Sequence, residues 1–472
     1  INEIKIISNG KNLFLKKKIL KVKYEPIIIL VYDFNSKYNY FTISYKNLIK
    51  RCSLNNINTT KKYKLTLTTL FKYDYYLFDT FYNYYSNQGV EFFYMYYNGI
   101  LNDEIRNIFT KKKNVKLIEW NFRYWNDKSC EFVHHAQLGQ IHHAIYKYGK
   151  NVSDYMIFCD LDEYMLSPHR KLCHMIKSNH DTYKFCNVFS ELIDNTKMSD
   201  LPNKFNVSKR YKFNDRSKCI HKLDSIETIG IHREFKYLNT NFKISENYSN
   251  CLYHFYNIGG QKRSFKCSDI IDITDFKKLL LFIHIPKTGG TFVEDLFLEN
   301  GYLVGRFQNK GSFYLENFKC NKYHVPFKYQ EIDFNNYITF TIIRDPIERF
   351  LSEVNYKYFP KFYKNKIKDI NKFISFFFDE NKKISFDGDC HLIPQNEYMY
   401  DKNSNKVVNI LNQNNLKNEL NNFVKKYNLD INLHQILVNK RRNNYDNYDI
   451  NSENLKLIKN AYKEDYEFIL NI

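Results

Sequence analysis

The chain has 472 residues, and domain-size scaling predicts about two to three domains, so two catalytic modules would fit. Hydrophobic residues make up 43% and aromatic residues 18%, which excludes disorder along the whole chain, and the ten cysteines lack the CxxC spacing of a zinc ribbon. The net charge of +20 favours polyanionic partners such as nucleotides or sulfated glycans, although a coding bias towards Lys and Asn explains it equally well.

Residues 1–61 are predicted to form an N-terminal appendage. They hold one apolar strand candidate, Ile27 to Tyr32, and then a polar loop from about Asn55 to Lys62. The start lacks a signal-peptide core, and no run of about 18 uncharged apolar residues occurs, so we expect no membrane segment in this chain. Because the first residue is Ile, the compartment stays open. We expect a soluble chain, cytoplasmic if it is complete, or in the Golgi or secretory lumen if a leader or anchor was removed.

Residues 62–260 alternate short β-type runs with helical stretches. The runs KLTLTTLF, EFFYMYY and VKLIEW have strand character, and FDTFYNYYSN is a helix that ends near the glycine of SNQGV. Such alternation predicts βαβ units with a largely parallel sheet, and therefore an α/β domain.

Two acidic residues, Asp160 and Asp162, follow the apolar run YMIF. Side chains two apart on a strand share a face, so both carboxylates can address one divalent cation. Mn²⁺ or Mg²⁺ bound there would bridge the diphosphate of a sugar nucleotide. Two acids at a strand end also occur in ordinary turns and helix caps, so the pair needs its surrounding sequence to carry meaning.

The surrounding sequence, from about Tyr63 to Asn257, resembles glycosyltransferase family 92 and related family 2 enzymes of the GT-A fold. The resemblance implies a nucleotide-sugar donor, with a UDP-sugar as first choice. It implies sugar-nucleotide contacts at Lys72, Asn98, Asp160 and Lys218, and metal ligation by Asp160, Asp162 and His232. The chain has Tyr97 before Asn98 where the family has an acidic residue, which leaves the nucleoside contact open.

A polar stretch, residues 261–278, is predicted to link this domain to a second one over residues 279–472. There LLLFIHI is a buried strand, PKTGGT a tight loop and the following segment an amphipathic helix. Backbone N–H groups from Thr288 to Thr291 would point at a phosphate or sulfate, and Lys287 supplies a cation. Since this lysine precedes the two glycines instead of following them, a P-loop NTPase is disfavoured.

A second strong strand, YITFTII, precedes Arg344, an Asp-Pro turn and a helix. Arg344 offers a planar fork of donors, and Ser352 offers a hydroxyl two turns along that helix. The pair suits a second phosphate.

Together these elements resemble the 5'-phosphosulfate loop and the 3'-phosphate motif of carbohydrate sulfotransferases of the heparan sulfate 2-O- and uronyl type, from about Leu279 to Tyr356. The resemblance implies 3'-phosphoadenylyl sulfate (PAPS) as donor, with Lys287 stabilising the leaving phosphate. The implied donor site comprises Pro286, Lys287, Thr288, Gly289, Gly290, Thr291, Arg344 and Ser352.

Two histidines are candidates for the general base. His324 lies just before the second strand, where 2-O-type members carry a catalytic histidine, and a neutral imidazole could remove the acceptor proton. A hydrogen-bonded structural histidine is the alternative for this position. His391, in the segment DCHLIPQNEY, resembles the family's HxxPQ segment and is the reserve base. The predicted catalytic residues are therefore His324, Lys287 and His391.

We expect a two-domain α/β chain, a GT-A-like (Rossmann-like) glycosyltransferase followed by a P-loop-like sulfotransferase with a central parallel sheet. Its partners would be a glycan or glycoconjugate acceptor and nucleotide donors, without a specific nucleic acid. One alternative keeps the sulfotransferase and makes the N-terminal domain a catalytically silent carbohydrate-binding module. Two others are a basic nucleic-acid-binding protein, for which the sequence shows no RRM, KH or helix-turn-helix signature, and a nucleotide kinase, whose requirements Thr288 meets only in part.

Overall fold

The chain divides into two compact units. A computed structural model describes residues 4–8, 11–13, 15–20, 28–32, 40–53, 61–124, 135–176, 180–193, 198–213, 215–232, 234–237, 241–258, 266–315, 318–354, 356, 369–378, 389–433 and 449–470. Unit 1 comprises Ile1–Leu166 and Asn179–Ile271, and unit 2 comprises Ser167–Ser178 and Asp272–Ile472. Unit 2 therefore includes a short segment from the first half of the sequence.

Unit 1 begins with short strands. They are β1 (Ile4–Ser8), β2 (Lys11–Asn12), β3 (Leu15–Leu20), β4 (Ile28–Tyr32), β5 (Tyr40–Tyr45) and β6 (Leu48–Ser53). An antiparallel sheet has the order β2-β1-β5-β6, and β3 pairs with β4. The strand candidate at Ile27 to Tyr32 is confirmed as β4, whereas the neighbouring strands were not predicted because lysine and asparagine obscure their alternation. Most of the predicted loop from Asn55 to Lys62 lies outside the described residues.

The main sheet of unit 1 has ten strands. They are β7 (Tyr63–Phe71), β8 (Phe92–Tyr97), β9 (Val115–Glu119), β10 (Ser153–Phe158), β11 (Glu163–Leu166), β12 (Thr182–Glu191), β13 (Lys204–Val207), β14 (Lys218–Lys222), β17 (Ile244–His254) and β18 (Asp269–Asp272). Two further strands, β15 (Ile226–Ile229) and β16 (Glu234–Tyr237), pair only with each other. The central order is β11-β17-β12-β14-β10-β7-β8-β9.

Only part of this sheet is parallel. Strands β10, β7, β8 and β9 run parallel, as predicted, with helices α1 (Phe78–Asn87) and α2 (Asp103–Phe109) in the crossovers. Strand β14 is antiparallel to both of its neighbours. The connections from β12 through β13 to β14 contain no described helix, so they do not provide the crossover that parallel strands need. The expectation of a largely parallel sheet was correct for one half only.

Unit 2 is built around a three-stranded parallel sheet, as predicted. The order is β19-β22-β23, formed by β19 (Leu279–Ile283), β22 (Tyr337–Ile343) and β23 (Asn409–Asn412), and β20 (Ser312–Leu315) forms a separate hairpin with β21 (Phe318–Asn321). Phe297, Phe340 and Phe423 pack in a buried cluster, and a second cluster gathers around Ile343 and Tyr398.

The remaining helices are short. Helix α3 (His135–His143) belongs to unit 1, and unit 2 contains α4 (Leu172–Met175), α5 (Thr274–Lys277), α6 (Gly290–Glu299), α7 (Pro346–Val354), α8 (Ile370–Phe377), α9 (Leu416–Lys426), α10 (Ser452–Ala461) and α11 (Lys463–Leu470). Helices α10 and α11 are separated by Tyr462, whose buried hydroxyl donates to the Leu392 carbonyl across 3.0 Å. Among the described residues, no helix combines the length and apolar character needed to cross a bilayer.

Candidate active sites

A tight loop joins β19 to α6 in unit 2. Lys287 has φ 71° and Gly289 has φ 96°, so both adopt the left-handed region. This conformation costs a non-glycine residue about 1–2 kcal/mol, so the surroundings of Lys287 must impose it. A Cβ at Gly289 would meet nothing within 4 Å, which leaves the backbone open to a ligand.

The loop rests on a buried histidine. A Cβ at Gly290 would lie 2.9 Å from Nε2 of His284, so the close approach requires glycine at this position. Nδ1 of His284 lies 2.7 Å from Oε1 of the fully buried Glu294 on α6. Helix α6 therefore holds, through Glu294, the His284 ring on which its own first residue packs.

Two side chains of the loop have defined partners. The hydroxyl of Thr288 is buried and donates to the Ile285 carbonyl across 2.8 Å, so it is already used inside the loop. A kinase would need this hydroxyl for Mg²⁺. The ammonium of Lys287 lies 3.7 Å from the ring centroid of Tyr356, a cation–π contact.

The second predicted phosphate element emerges beside this loop. Strands β19 and β22 are parallel neighbours, with Ile283 opposite Thr341, so both carboxyl ends lie at one edge of the sheet. Nη1 of Arg344 donates to the carbonyl of Lys287 across 3.3 Å, and its Nε lies 3.3 Å from Oε2 of Glu348. The two strand ends therefore converge.

A buried arginine ties a third segment to this edge. Arg349, on α7, donates to the Pro286 carbonyl across 2.9 Å and to the His391 carbonyl across 2.8 Å. The same helix carries Ser352, which is buried. The side chain of Arg349 thus joins α7 to the loop between β19 and α6 and to the His391 segment.

Three histidine rings lie in a row beside the loop. The centroids of His284 and His324 are 4.9 Å apart, and those of His324 and His391 are also 4.9 Å apart. Nδ1 of His324 lies 2.8 Å from Oδ2 of Asp389, and Nδ1 of His391 lies 2.8 Å from Oε2 of Glu353. An ionised carboxylate only accepts, so an Nδ1 that is bonded to one donates, and in a neutral imidazole the Nε2 atom then keeps a lone pair.

Burial and charge act in opposite directions on the central pair. Burial lowers the pKa of His324 below its ordinary value, although the hydrogen bond to Asp389 works against this. Burial alone would raise the pKa of Asp389, but hydrogen bonds from His324 and Asn321 outweigh it and hold that pKa below the usual range. The pair is therefore a neutral imidazole beside a carboxylate near neutral pH.

The same residues meet a geometric condition for a metal site. Among the described residues, His324, Asp389 and His391 are the three metal-ligating side chains whose ligand atoms lie within 4.8 Å of one another. Oδ2 of Asp389 already accepts from His324 and, across 2.6 Å, from the Asn321 side chain, and the Nδ1 atoms of both histidines are bonded to carboxylates. The cluster therefore consists of two hydrogen-bonded histidine–carboxylate pairs.

In unit 1, a buried lysine lies between two carboxylates. Nζ of Lys218 is 2.9 Å from Oδ2 of Asp160 and 3.3 Å from Oε2 of Glu163. Burial would lower the pKa of Lys218, but the two carboxylates raise it well above its usual range, so the ammonium stays charged. Gln137 donates to the other oxygen of Asp160 across 3.1 Å. Burial raises the pKa of Glu163 to about 7, against the attraction of Lys218.

The second aspartate has a different partner. Strand β10 ends at Phe158, so Asp160 and Asp162 lie in the connection to β11, and the rule that residues two apart share a strand face does not apply to them. Nε2 of His254 lies 3.4 Å from Oδ2 of Asp162. Burial would lower the pKa of His254, but Asp162 outweighs it and the pKa rises to about 9.

The donor types here suit a divalent cation. Carboxylates and a neutral imidazole are ligands for Mn²⁺, and burial followed by the charge of Lys218 lowers the pKa of His232 to about 3, so its ring is neutral. Nδ1 of His232 is buried and has no hydrogen-bond partner among the described residues. Asp160, Asp162 and His232 do not form a set within 4.8 Å in the described structure, and Asp160 is paired with Lys218.

Two regions of the chain match models of known families. Residues 271–468 match the sulfotransferase family. Residues 61–279 match glycosyltransferase family 92. A search of curated proteins found no match. The chain thus combines a glycosyltransferase-type region with a sulfotransferase-type region.

Several predicted residues of the sulfotransferase region lie together. Pro286, Lys287 and Arg344 are joined by the bonds described above, and His324 lies against His391. Thr291 is exposed at the start of α6. Each position agrees with a single donor site at this edge, while the individual roles remain predictions.

In the glycosyltransferase-type region, the predicted sugar-nucleotide residues have different surroundings. Lys218 and Asp160 are in contact. The side chain of Asn98 instead donates to the carbonyls of Trp120 and Phe122, across 2.9 and 2.7 Å, and so holds the chain after β9. Lys72 is exposed, with its ammonium 5.1 Å from the ring of Tyr73.

Sequence reasoning missed the acidic partners of the histidines. Asp389 lies 65 residues from His324, and Glu353 lies 38 residues from His391, so no local spacing links them. The side chain of Glu353 is 3% exposed and bonded to His391. The position of Asp389 two residues before His391 was the one available signal.

Proposed function

We propose that unit 2 transfers a sulfuryl group from PAPS to a carbohydrate hydroxyl. The observation that carries the proposal is the contact between Arg344 and the carbonyl of Lys287, which puts the two phosphate-type strand ends side by side. A donor with phosphates at both its 5' and 3' positions needs two anion sites at one edge of a sheet. The match to the sulfotransferase family supports the same choice.

The donor would lie across this edge. Backbone N–H groups from Thr288 to Thr291, at the positive end of the α6 dipole, would bind the 5'-phosphosulfate, with Lys287 beside them. Arg344 and Ser352 would bind the 3'-phosphate. Because Arg344 also contacts the loop carbonyl, the two phosphate sites are mechanically coupled.

The reaction needs a base for the acceptor hydroxyl. Nε2 of His324 would take the hydroxyl proton while the hydroxyl oxygen forms a bond to sulfur in line with the breaking bond from sulfur to the 5'-phosphate oxygen. Lys287 would stabilise the charge that develops on the departing adenosine 3',5'-bisphosphate. His391, held by Glu353, is the reserve base.

For unit 1 we propose sugar transfer from a nucleotide sugar, with a UDP-sugar as the first candidate. Asp160, Asp162 and His232 would hold Mn²⁺ or Mg²⁺, which supplies positive charge against the donor diphosphate when bound. Lys218 holds Asp160 in place and adds charge near the same phosphates. Lys72 would lie at the outer side of the donor.

One set of observations favours the alternative of a silent carbohydrate-binding unit 1. Asp160 is engaged by Lys218 and Gln137, and Asp162 by His254, so the acidic residues have protein partners. Both proposals can be tested on the full chain. PAPS labelled with ³⁵S and a panel of glycans test sulfation, and a panel of UDP-sugars with and without Mn²⁺ tests sugar transfer. Sulfation without any metal-dependent sugar transfer or donor hydrolysis would favour the silent unit.

A further inference from the structure

His324 has a partner whose role is not explained by donor binding. Oδ2 of Asp389 lies 2.8 Å from Nδ1 of His324, although the two residues are 65 positions apart. The side chain of Asp389 is 29% exposed and that of His324 is 10% exposed, so the bond is partly shielded from water. A charge-assisted hydrogen bond in such surroundings is stronger than one in water.

The carboxylate is itself held in place. Nδ2 of Asn321 donates to Oδ2 of Asp389 across 2.6 Å, and the backbone N–H of Asn321 donates to Oδ1. Asn321 directly precedes the single-turn helix Lys322–His324, which carries the imidazole. Asp389 also has φ 62°, a left-handed conformation that a non-glycine residue adopts only when its contacts impose it. Asn321, His324 and Asp389 therefore form one rigid group.

This hydrogen-bonded group determines which ring nitrogen of His324 carries the proton. Since an ionised carboxylate only accepts hydrogen bonds, Nδ1 of His324 must donate to Asp389 and Nε2 must keep its lone pair. We propose that Asp389 is the positioning residue of the sulfuryl-transfer reaction, setting the tautomer and orientation in which Nε2 of His324 accepts the proton. The inference rests on the proposed role of His324 as base.

Other ionisable groups surround His324 as well. The rings of His284, His391 and Tyr323 lie with their centroids 4.9, 4.9 and 4.2 Å from that of His324, and Glu294 lies behind His284. Among the described residues, it is Asp389 that bonds to Nδ1 of His324. The second pair, His391 with Glu353, is separate and stays intact when Asp389 is changed.

A double-mutant cycle tests whether Asp389 acts through His324. Asp389→Asn should lower kcat for sulfation about 10- to 100-fold and leave the KM for PAPS unchanged, because the donor residues are untouched. His324→Ala should lower kcat further, and the double variant should be no worse than His324→Ala alone. Glu331→Gln, an exposed acid of the same unit, is the matched control and should retain wild-type rates. Additive losses in the double variant would overturn the proposal.

The histidine tautomer provides a readout that does not require activity. In the full chain labelled with ¹⁵N-histidine, the wild-type resonances of His324 should show a protonated Nδ1 and an unprotonated Nε2. The wild-type spectrum decides this point even if Asp389→Asn folds poorly. If this tautomer is found but PAPS-dependent sulfation is absent, the proposed function is wrong, and only the control of the His324 tautomer by Asp389 stands. If sulfation occurs and Nε2 carries the proton, the positioning proposal is wrong.

Discussion

Nη1 of Arg344 lies 3.3 Å from the backbone carbonyl oxygen of Lys287, across two parallel strands that are neighbours in the sheet. The carbonyl belongs to a residue with φ 71°, so the arginine helps to hold an unusual loop conformation. A side chain suited to one phosphate thus stabilises the loop suited to another. Binding at the two positions should therefore be coupled.

Replacement of the loop lysine tests its role in charge stabilisation. Lys287→Ala should lower kcat for sulfation by about 100-fold or more, since it removes the cation next to the leaving phosphate. Sugar transfer by unit 1 should be unchanged. Lys417→Ala, an exposed lysine on α9, serves as the control. Transfer of ³⁵S from PAPS measures the effect, and a normal rate in Lys287→Ala would show that the loop role is misassigned.

Replacement of Arg344 tests which phosphate it binds. Arg344→Ala should raise the Kd of adenosine 3',5'-bisphosphate about 10- to 100-fold, the cost of a charged hydrogen bond, and should change the Kd of adenosine 5'-monophosphate much less. Glu348→Gln removes the exposed partner of Arg344 but keeps the guanidinium, so its effect should be small. Isothermal titration calorimetry measures both ligands. Equal losses for both would place the 3'-phosphate elsewhere.

The sequence predicted those parts of the site that depend on short-range patterns. A strand, a Lys-Thr-Gly-Gly loop and a helix are contiguous, so their geometry follows from local rules, and the same holds for Arg344 after β22. No short-range sequence pattern indicates that residues 167–178 belong to unit 2. Arg170 in that segment pairs with Asp430 across 2.8 Å, a distance of 260 positions in the chain. Asp389 and Glu353 were missed for the same reason.

The pH dependence of sulfation should report the buried imidazole. Burial lowers the pKa of His324 below the ordinary value of about 6.5 for histidine, so the neutral, basic form persists to lower pH than for an exposed histidine. The rate should therefore fall only as pH drops through a midpoint below about 6.5. A profile of kcat/KM against pH measures this, with His391→Ala expected to keep the acid limb. A midpoint at or above 7 would exclude His324 as the base.

Replacement of Asp162 separates the two activities. Asp162→Ala should lower metal-dependent sugar transfer by about 100-fold or more, because a charged ligand for the ion is lost, and should leave sulfation unchanged. Asp224→Ala, which removes an exposed acid paired with Lys61 in the same unit, is the control. Release of UDP from a panel of UDP-sugars measures the effect. An unchanged rate would remove Asp162 from the metal site.

Unit 1 also marks a limit of pattern-based reasoning. The spacing of Asp160 and Asp162 indicated a pair of acids after β10, but it did not indicate that Asp160 is ion-paired with the buried Lys218. Lys218 comes from an antiparallel strand 58 positions later, and its pairing depends on the register between β10 and β14. Strand register is a property of the folded sheet, so the ion pair could not be derived from either segment alone.

A crystal structure of the full chain with adenosine 3',5'-bisphosphate tests the central claim most directly. The account predicts that the 5'-phosphate lies on the backbone N–H groups of Thr288 to Thr291, and that the 3'-phosphate lies within hydrogen-bond distance of Arg344 and Ser352. A nucleotide whose 3'-phosphate points away from Arg344, or one bound away from the edge formed by β19 and β22, would contradict it.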